Sequence, residues 1–143
     1  MGLRLVKPHA EVAEVWPRDG RIRVVGRLHG RRGDTRADWQ LLLVRRSGTQ
    51  EQLRYGARVE GDRFESEVPV ADLAAYDPAG IEQWDLHLTD GEVKLRAGRQ
   101  LDDIRGKKKI MVFPAQHVPA ARGTLTVQPY YTVQDNLSLE CRV

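Results

Sequence analysis

Cysteine occurs once, at Cys141, so no disulfide can form within the chain. No apolar run approaches the roughly 18 residues that a membrane-spanning helix needs. The opening stretch MGLRLVKPHAEVAEV carries charges throughout and holds no apolar core of a secretory signal. Gly2 follows Met1, but Val6 stands where myristoylation requires Ser or Thr. These absences point to a cytoplasmic protein without a membrane span. Helical periodicity is almost missing, and only Asp72 to Tyr76 reads as a helical turn. No nucleophile elbow, phosphate-cradling glycine loop or dinucleotide fingerprint appears. No catalytic residue is therefore assigned, and no cofactor is expected. The net charge of +3 falls short of a nucleic-acid-binding composition, so specific nucleic-acid recognition is not expected.

Metal-ligand spacings are also lacking. None of His9, His29, His87 and His117 joins another ligand at a His-x-His or Glu-x-x-His spacing, and no metal site is expected. His87 falls on one face of a strand with Asp85, opposite Lys94, as an exposed charge pattern would place it. Asp102 and Asp103 are neighbours in extended chain and point apart, which suits loop carboxylates better than a catalytic pair. Cys141 lies in apolar phase with Leu137, Leu139 and Val143, as a small core residue would.

What the sequence does have is period-two alternation. Leu53, Tyr55, Ala57 and Val59 alternate with polar or small residues, as do Trp84, Leu86 and Leu88, and Leu137, Leu139, Cys141 and Val143. Each run reads as a strand with one face on a core and one in water. Asp19-Gly20, Gly61-Asp62 and Asp90-Gly91 are hairpin dipeptides. Pairing outward from them sorts the faces. Val15 meets Val24 and Pro17 meets Ile22; Val59 meets Phe64, Tyr55 meets Val68 and Leu53 meets Val70. From the third turn Leu88 meets Val93, Leu86 meets Leu95 and Trp84 meets Ala97. Strands are expected at about 10–17, 21–29, 38–46, 52–59, 63–70, 83–89, 92–98, 108–113, 124–133 and 137–143. The loops fall at 30–36, 98–106 and 115–123. The fold class is all-β: a single domain over 1–143, an immunoglobulin- or fibronectin-like antiparallel β-sandwich of about eight to ten strands. A small closed β-barrel is the alternative.

The stretch KKKIMVFPAQ, from Lys107 to Gln116, joins three positive charges to an apolar run. One reading is a buried strand, Ile110 to Phe113, entered through a solvated turn whose lysines protect a strand end. The other gathers Lys107, Lys108 and Lys109 with Arg105, Arg99, Arg96 and Lys94 into a cationic patch for an anionic polymer, partly offset by Asp102 and Asp103. Trp39 and Trp84 fall in core phase. Trp16 falls out of phase, facing Arg23, where it stacks on that guanidinium or meets a partner. Tyr130 and Tyr131 are adjacent, so one must face outward to stack on a sugar or anchor an interface, unless its hydroxyl ties down a loop.

KKKIMVFPAQ followed by VQPYYTVQDNLSLECRV resembles the β-sandwich region appended to actinobacterial glycosyltransferases and cell-wall glycopolymer (teichoic-acid type) transferases. The matching positions are Lys107–Lys109, Pro114, Pro129, Tyr130, Tyr131, Thr132, Asn136, Leu137 and Ser138, with Trp84 to Leu88 suiting that region's tryptophan strand. These motifs cover only about the last forty residues. No nucleotide-sugar site and no Asp-x-Asp metal motif accompanies them. The resemblance implies a non-catalytic accessory module, acting through a glycosyltransferase or other protein partner, or through weak binding of a sugar or anionic polymer. The candidate ligand residues are Arg105, Lys107, Lys108, Lys109, Tyr130 and Tyr131, and the candidate interface residue is Trp16. A small-molecule-binding or enzymatic barrel and a homo-oligomerisation domain are the alternatives.

Overall fold

The computed structural model describes residues 9–30, 38–47, 51–76, 80–99, 112–121 and 123–143. Eleven strands lie among them. The first six are β1 (His9–Arg18), β2 (Arg21–His29), β3 (Gln40–Arg45), β4 (Gln52–Gly56), β5 (Arg58–Glu60) and β6 (Arg63–Pro69). A 3-10 turn, Val70–Ala75, then leads to β7 (Ile81–Thr89), β8 (Lys94–Arg99), β9 (Gln116–Ala120), β10 (Gly123–Tyr131) and β11 (Leu137–Arg142).

The strands form an all-β sandwich. One layer runs β5-β6-β2-β1, and the other runs β4-β3-β7-β11-β10-β9. Strand β8 joins them: Lys94 to Arg96 pair antiparallel with β7, and Ala97 to Arg99 pair parallel with β1. The path stays open, with β5 at one end and β9 at the other, so the strands do not close into a barrel. Ile22, Val24, Phe64, Val68, Leu41, Leu43, Trp84, Leu86, Leu88, Leu125, Val127, Leu137 and Leu139 meet in one core. Each such side chain contributes about 2 kcal/mol through burial.

The first hairpin has the expected register, Val15 with Val24 and Pro17 with Ile22. Asp19 and Gly20 take φ of 57° and 74°, the left-handed pair that a two-residue turn needs. Gln116 clamps this turn from the other layer: Gly20 N donates to its Oε1 at 2.7 Å, and its Nε2 donates to Arg21 O at 2.8 Å.

Other expected pairings change. Arg58 to Glu60 do meet β6, with Val59 opposite Phe64. Gln52 to Gly56 instead pair with β3, setting Tyr55 opposite Leu41 and Leu53 opposite Leu43. The chain changes layers at Ala57, whose N–H donates to Trp39 O at 2.9 Å. Alternation specifies a buried face and leaves the neighbour open. The Asp90 turn is wider than two residues. Asp90 Oδ1 accepts from both Glu92 N and Val93 N, and Thr89 Oγ1 donates to Val93 O. Leu88 therefore meets Leu95, and His87 meets Arg96. That slip of two keeps every side chain on its expected face.

Most of the strand expected at 108–113 lies outside the described residues. Val112 is 76 % exposed and Phe113 is buried, and neither belongs to a strand, which corrects the reading of a run buried on both faces. The strand here is β9, in a segment expected to be loop. Pro119 fits this strand because β9 is an edge strand with one partner, where a missing N–H is tolerated.

Candidate functional site

Of the candidate ligand residues, Tyr130 and Tyr131 are among those described. Arg105, Lys107, Lys108 and Lys109 lie outside the described residues. Tyr130 and Tyr131 point to opposite faces of β10. Tyr131 packs inward, its ring 5.8 Å from that of Phe113. Tyr130 pairs with Ser138 on the outer face, where its hydroxyl reaches Arg46. The rest of the PYYT…DNLS motif is a hairpin. Thr132 N donates to Asn136 O at 2.8 Å, and Asp135 turns the chain with φ of 61°.

Beneath Tyr130 lies a half-buried ionic network. Strand β11 borders β7 along Ile81 to Asp85, and β8 borders the same edge along His87 to Thr89. Arg96 fills the gap between them. It donates to Leu86 O at 2.9 Å, to Leu137 O, to Asp85 Oδ1 at 3.1 Å and to Ser138 Oγ at 2.7 Å. Arg46 donates to Asp85 Oδ1 at 2.7 Å. Burial opposes ionisation of Asp85, yet hydrogen bonds from Arg46 and Ser138 and the charge of Arg96 hold its carboxyl below the ordinary range. Burial also pulls the Arg96 guanidinium below its usual value, against the attraction of Asp85. Ser138 is fully buried and its hydroxyl donates to Asp85, so it cannot meet a substrate. The network joins the ends of two strands.

His87 borders this network. Burial, then the charges of Arg96 and Lys94, lower its pKa to about 4. The exposed charge pattern expected for it is therefore corrected: the ring is half-buried and neutral. In the unfolded chain it titrates near its ordinary value of 6.5. The unfolded state thus binds more protons between these values, and stability falls as pH drops from about 6.5 to 4. Its share is about 2 kcal/mol after allowance for partial solvent contact. Urea denaturation at stepped pH is expected to show this limb, and His87→Gln is expected to flatten it.

Burial likewise pushes the Cys141 thiol up to about 12, consistent with its expected core role.

The second exposed feature is Trp16, 45 % accessible on the outer face of β1. It lines an open groove with Arg18, Asp19, Arg21, Arg23 and Glu67. The cation beside the ring is Arg18, 6.0 Å from the centroid. Arg23, expected to stack there, instead donates to Glu65 at 2.7 Å. The groove offers an aromatic face for stacking, and its exposed guanidinium groups face carboxylates, Arg18 with Asp19 at 3.8 Å and Arg21 with Glu67 at 3.1 Å.

The fold also gathers His9, Glu11 and His29, whose ligand atoms lie within 4.8 Å of one another. The short spacings read in the sequence, His-x-His and Glu-x-x-His, do not describe this set. A search for short spacings misses a set assembled across two strands. The available signal was Glu11 two residues after His9, on the same face of a strand.

No protein-family model and no curated protein matches the chain. Among solved structures, S. aureus TarS aligns with 96 % of this chain and 25 % of its own, with a TM-score of 0.72 and 19 % identity. A TarS structure spanning its residues 217–571 aligns with 100 % of this chain and 41 % of its own, with a TM-score of 0.73 and 18 % identity. The chain thus spans a quarter of the first and about two-fifths of the second. What the proteins share is a fold: TarS contains a β-sandwich of this architecture. No helix among the described residues is long and apolar enough to cross a membrane.

Proposed function

We propose that this β-sandwich is a non-catalytic, cytoplasmic accessory module of a glycosyltransferase or cell-wall polymer pathway. The observation that supports it best is the match of nearly the whole chain to only a quarter of TarS, a teichoic-acid glycosyltransferase. A region that small beside a catalytic protein suits positioning better than chemistry. In this reading the module holds a sugar or anionic polymer or touches a partner protein. Arg105 and Lys107–Lys109 supply charge, and Tyr130 supplies an outward ring; Tyr131 holds the strand beneath it. Trp16, with Arg18 and Arg21, is the contact face for the polymer or the partner.

Tryptophan emission tests the contact face, because Trp39 and Trp84 are buried and Trp16 is exposed. Soluble teichoic-acid fragments at millimolar concentration are expected to change the emission and to shift amide signals near Trp16 and Tyr130. Trp16→Phe should remove the emission change. Binding should weaken steeply with salt, as charge-dominated contacts do. No shift at any amide would sink polymer binding. Light scattering on the same samples separates self-association, which would shift the Trp16 surroundings with protein concentration alone.

A further inference from the structure

The outer face of β1 and β2 carries two ends of different chemistry. Trp16 and its arginines occupy the hairpin end. His9, Glu11 and His29 occupy the other, where His9 stands directly opposite His29. A β-bulge creates this pairing. From Arg18 up to Glu14 the register follows the tight turn, with Glu14 opposite Val25; then Val12 meets Gly26, leaving Ala13 without a partner. Continued without the bulge, that register would place Ala10 opposite His29 on the outer face and turn His9 and Glu11 toward the core. The extra residue shifts the phase of β1, so that Ala10 and Val12 face the core while His9 and Glu11 face outward beside His29. Bulges commonly re-aim side chains at functional positions.

The local geometry suits a cation better than a plain hydrogen bond. His29 Nε2 lies 3.1 Å from Glu11 Oε2. Yet that nitrogen is shielded from solvent and has no aligned hydrogen-bond partner. Metal bonds of about 2.0–2.2 Å put neighbouring ligand atoms about 2.9–3.5 Å apart, from octahedral to tetrahedral geometry. The Glu11–His29 separation falls in that interval. The His9 ring lies alongside, 4.8 Å from the His29 ring between centroids. His9 is exposed, so rotation of its side chain can close the set.

We propose that His9, Glu11 and His29 form a binding site for a divalent transition-metal ion of the zinc class. Two imidazoles and a carboxylate are the donor set such ions favour. Three protein ligands leave a coordination position for water or an anionic oxygen. The ion would tie the first residues of β1 to the last residues of β2, independently of any role of the Trp16 face.

The test is calorimetric titration of the tag-free full chain with Zn²⁺ in a non-coordinating buffer, with Co²⁺ absorption as a report of geometry. One saturable equivalent is expected, with visible Co²⁺ bands displaced by Zn²⁺. His9→Ala and His29→Ala should each weaken binding at least about tenfold, and Glu11→Gln should weaken it severalfold. His117→Ala should leave it unchanged. His9 is exposed, so its variant keeps the test valid if His29→Ala fails to fold. No saturable binding up to millimolar Zn²⁺, or binding that survives both histidine substitutions, would overturn the proposal.

Discussion

Arg96→Ala is expected to lower the unfolding free energy by about 3 kcal/mol, and the melting temperature by about 10 °C. The reason is the number of groups that one guanidinium satisfies. It serves the carbonyls of Leu86 and Leu137, the Ser138 hydroxyl and the Asp85 carboxylate. Truncation leaves two carbonyls without that donor where two strands abut end to end, and each orphaned group costs about 1–3 kcal/mol. It also strips Asp85 of one of two cations. Arg46 remains at 2.7 Å, which keeps the loss below that of an isolated buried charge. Arg96→Lys should recover less than half of the difference, because an ammonium lacks the planar fork that spans both strands. Urea unfolding followed by tryptophan fluorescence measures this. A loss under about 1 kcal/mol for the alanine variant would mean that water replaces the guanidinium and the staple is dispensable.

The same site shows where sequence reading reaches its limit. Alternation in β7 and β11 assigned Trp84, Leu86, Leu137 and Leu139 to the core, and all four are buried. The phase of Trp16 correctly put its ring outside, and the adjacency of Tyr130 and Tyr131 required one to face each way. These facts follow from the two-residue period alone. Neighbour relations do not. The crossing at Ala57 satisfies the same pattern in either layer, and a slip of two at the Asp90 turn changes no face while it moves Arg96 opposite His87. The bulge at Ala13 lies beside Gly26, where the β1 backbone comes close. With the bulge unseen, His29 appeared to belong to no cluster.

That glycine carries the second large prediction. Gly26→Ala is expected to cost at least about 3 kcal/mol, at or beyond the upper end of overpacking substitutions. A Cβ there would lie 2.0 Å from the Glu11 carbonyl oxygen and 2.6 Å from the Phe64 ring. The ring could rotate or shift. The carbonyl belongs to the β1 backbone and can retreat only if β1 separates from β2, which breaks the ladder beside the bulge. Gly56→Ala is the control, since nothing lies within 4 Å of its Cβ position. It should be neutral, or stabilising by up to about 1 kcal/mol through the unfolded state. Thermal denaturation distinguishes the pair. If Gly26→Ala folds at low temperature, its Zn²⁺ affinity reports on the strand spacing, because Glu11 supplies both the obstructing carbonyl and a proposed ligand. Loss of affinity with the fold intact would tie the bulge to the cluster; retained affinity would show that the cluster tolerates a shift of β1.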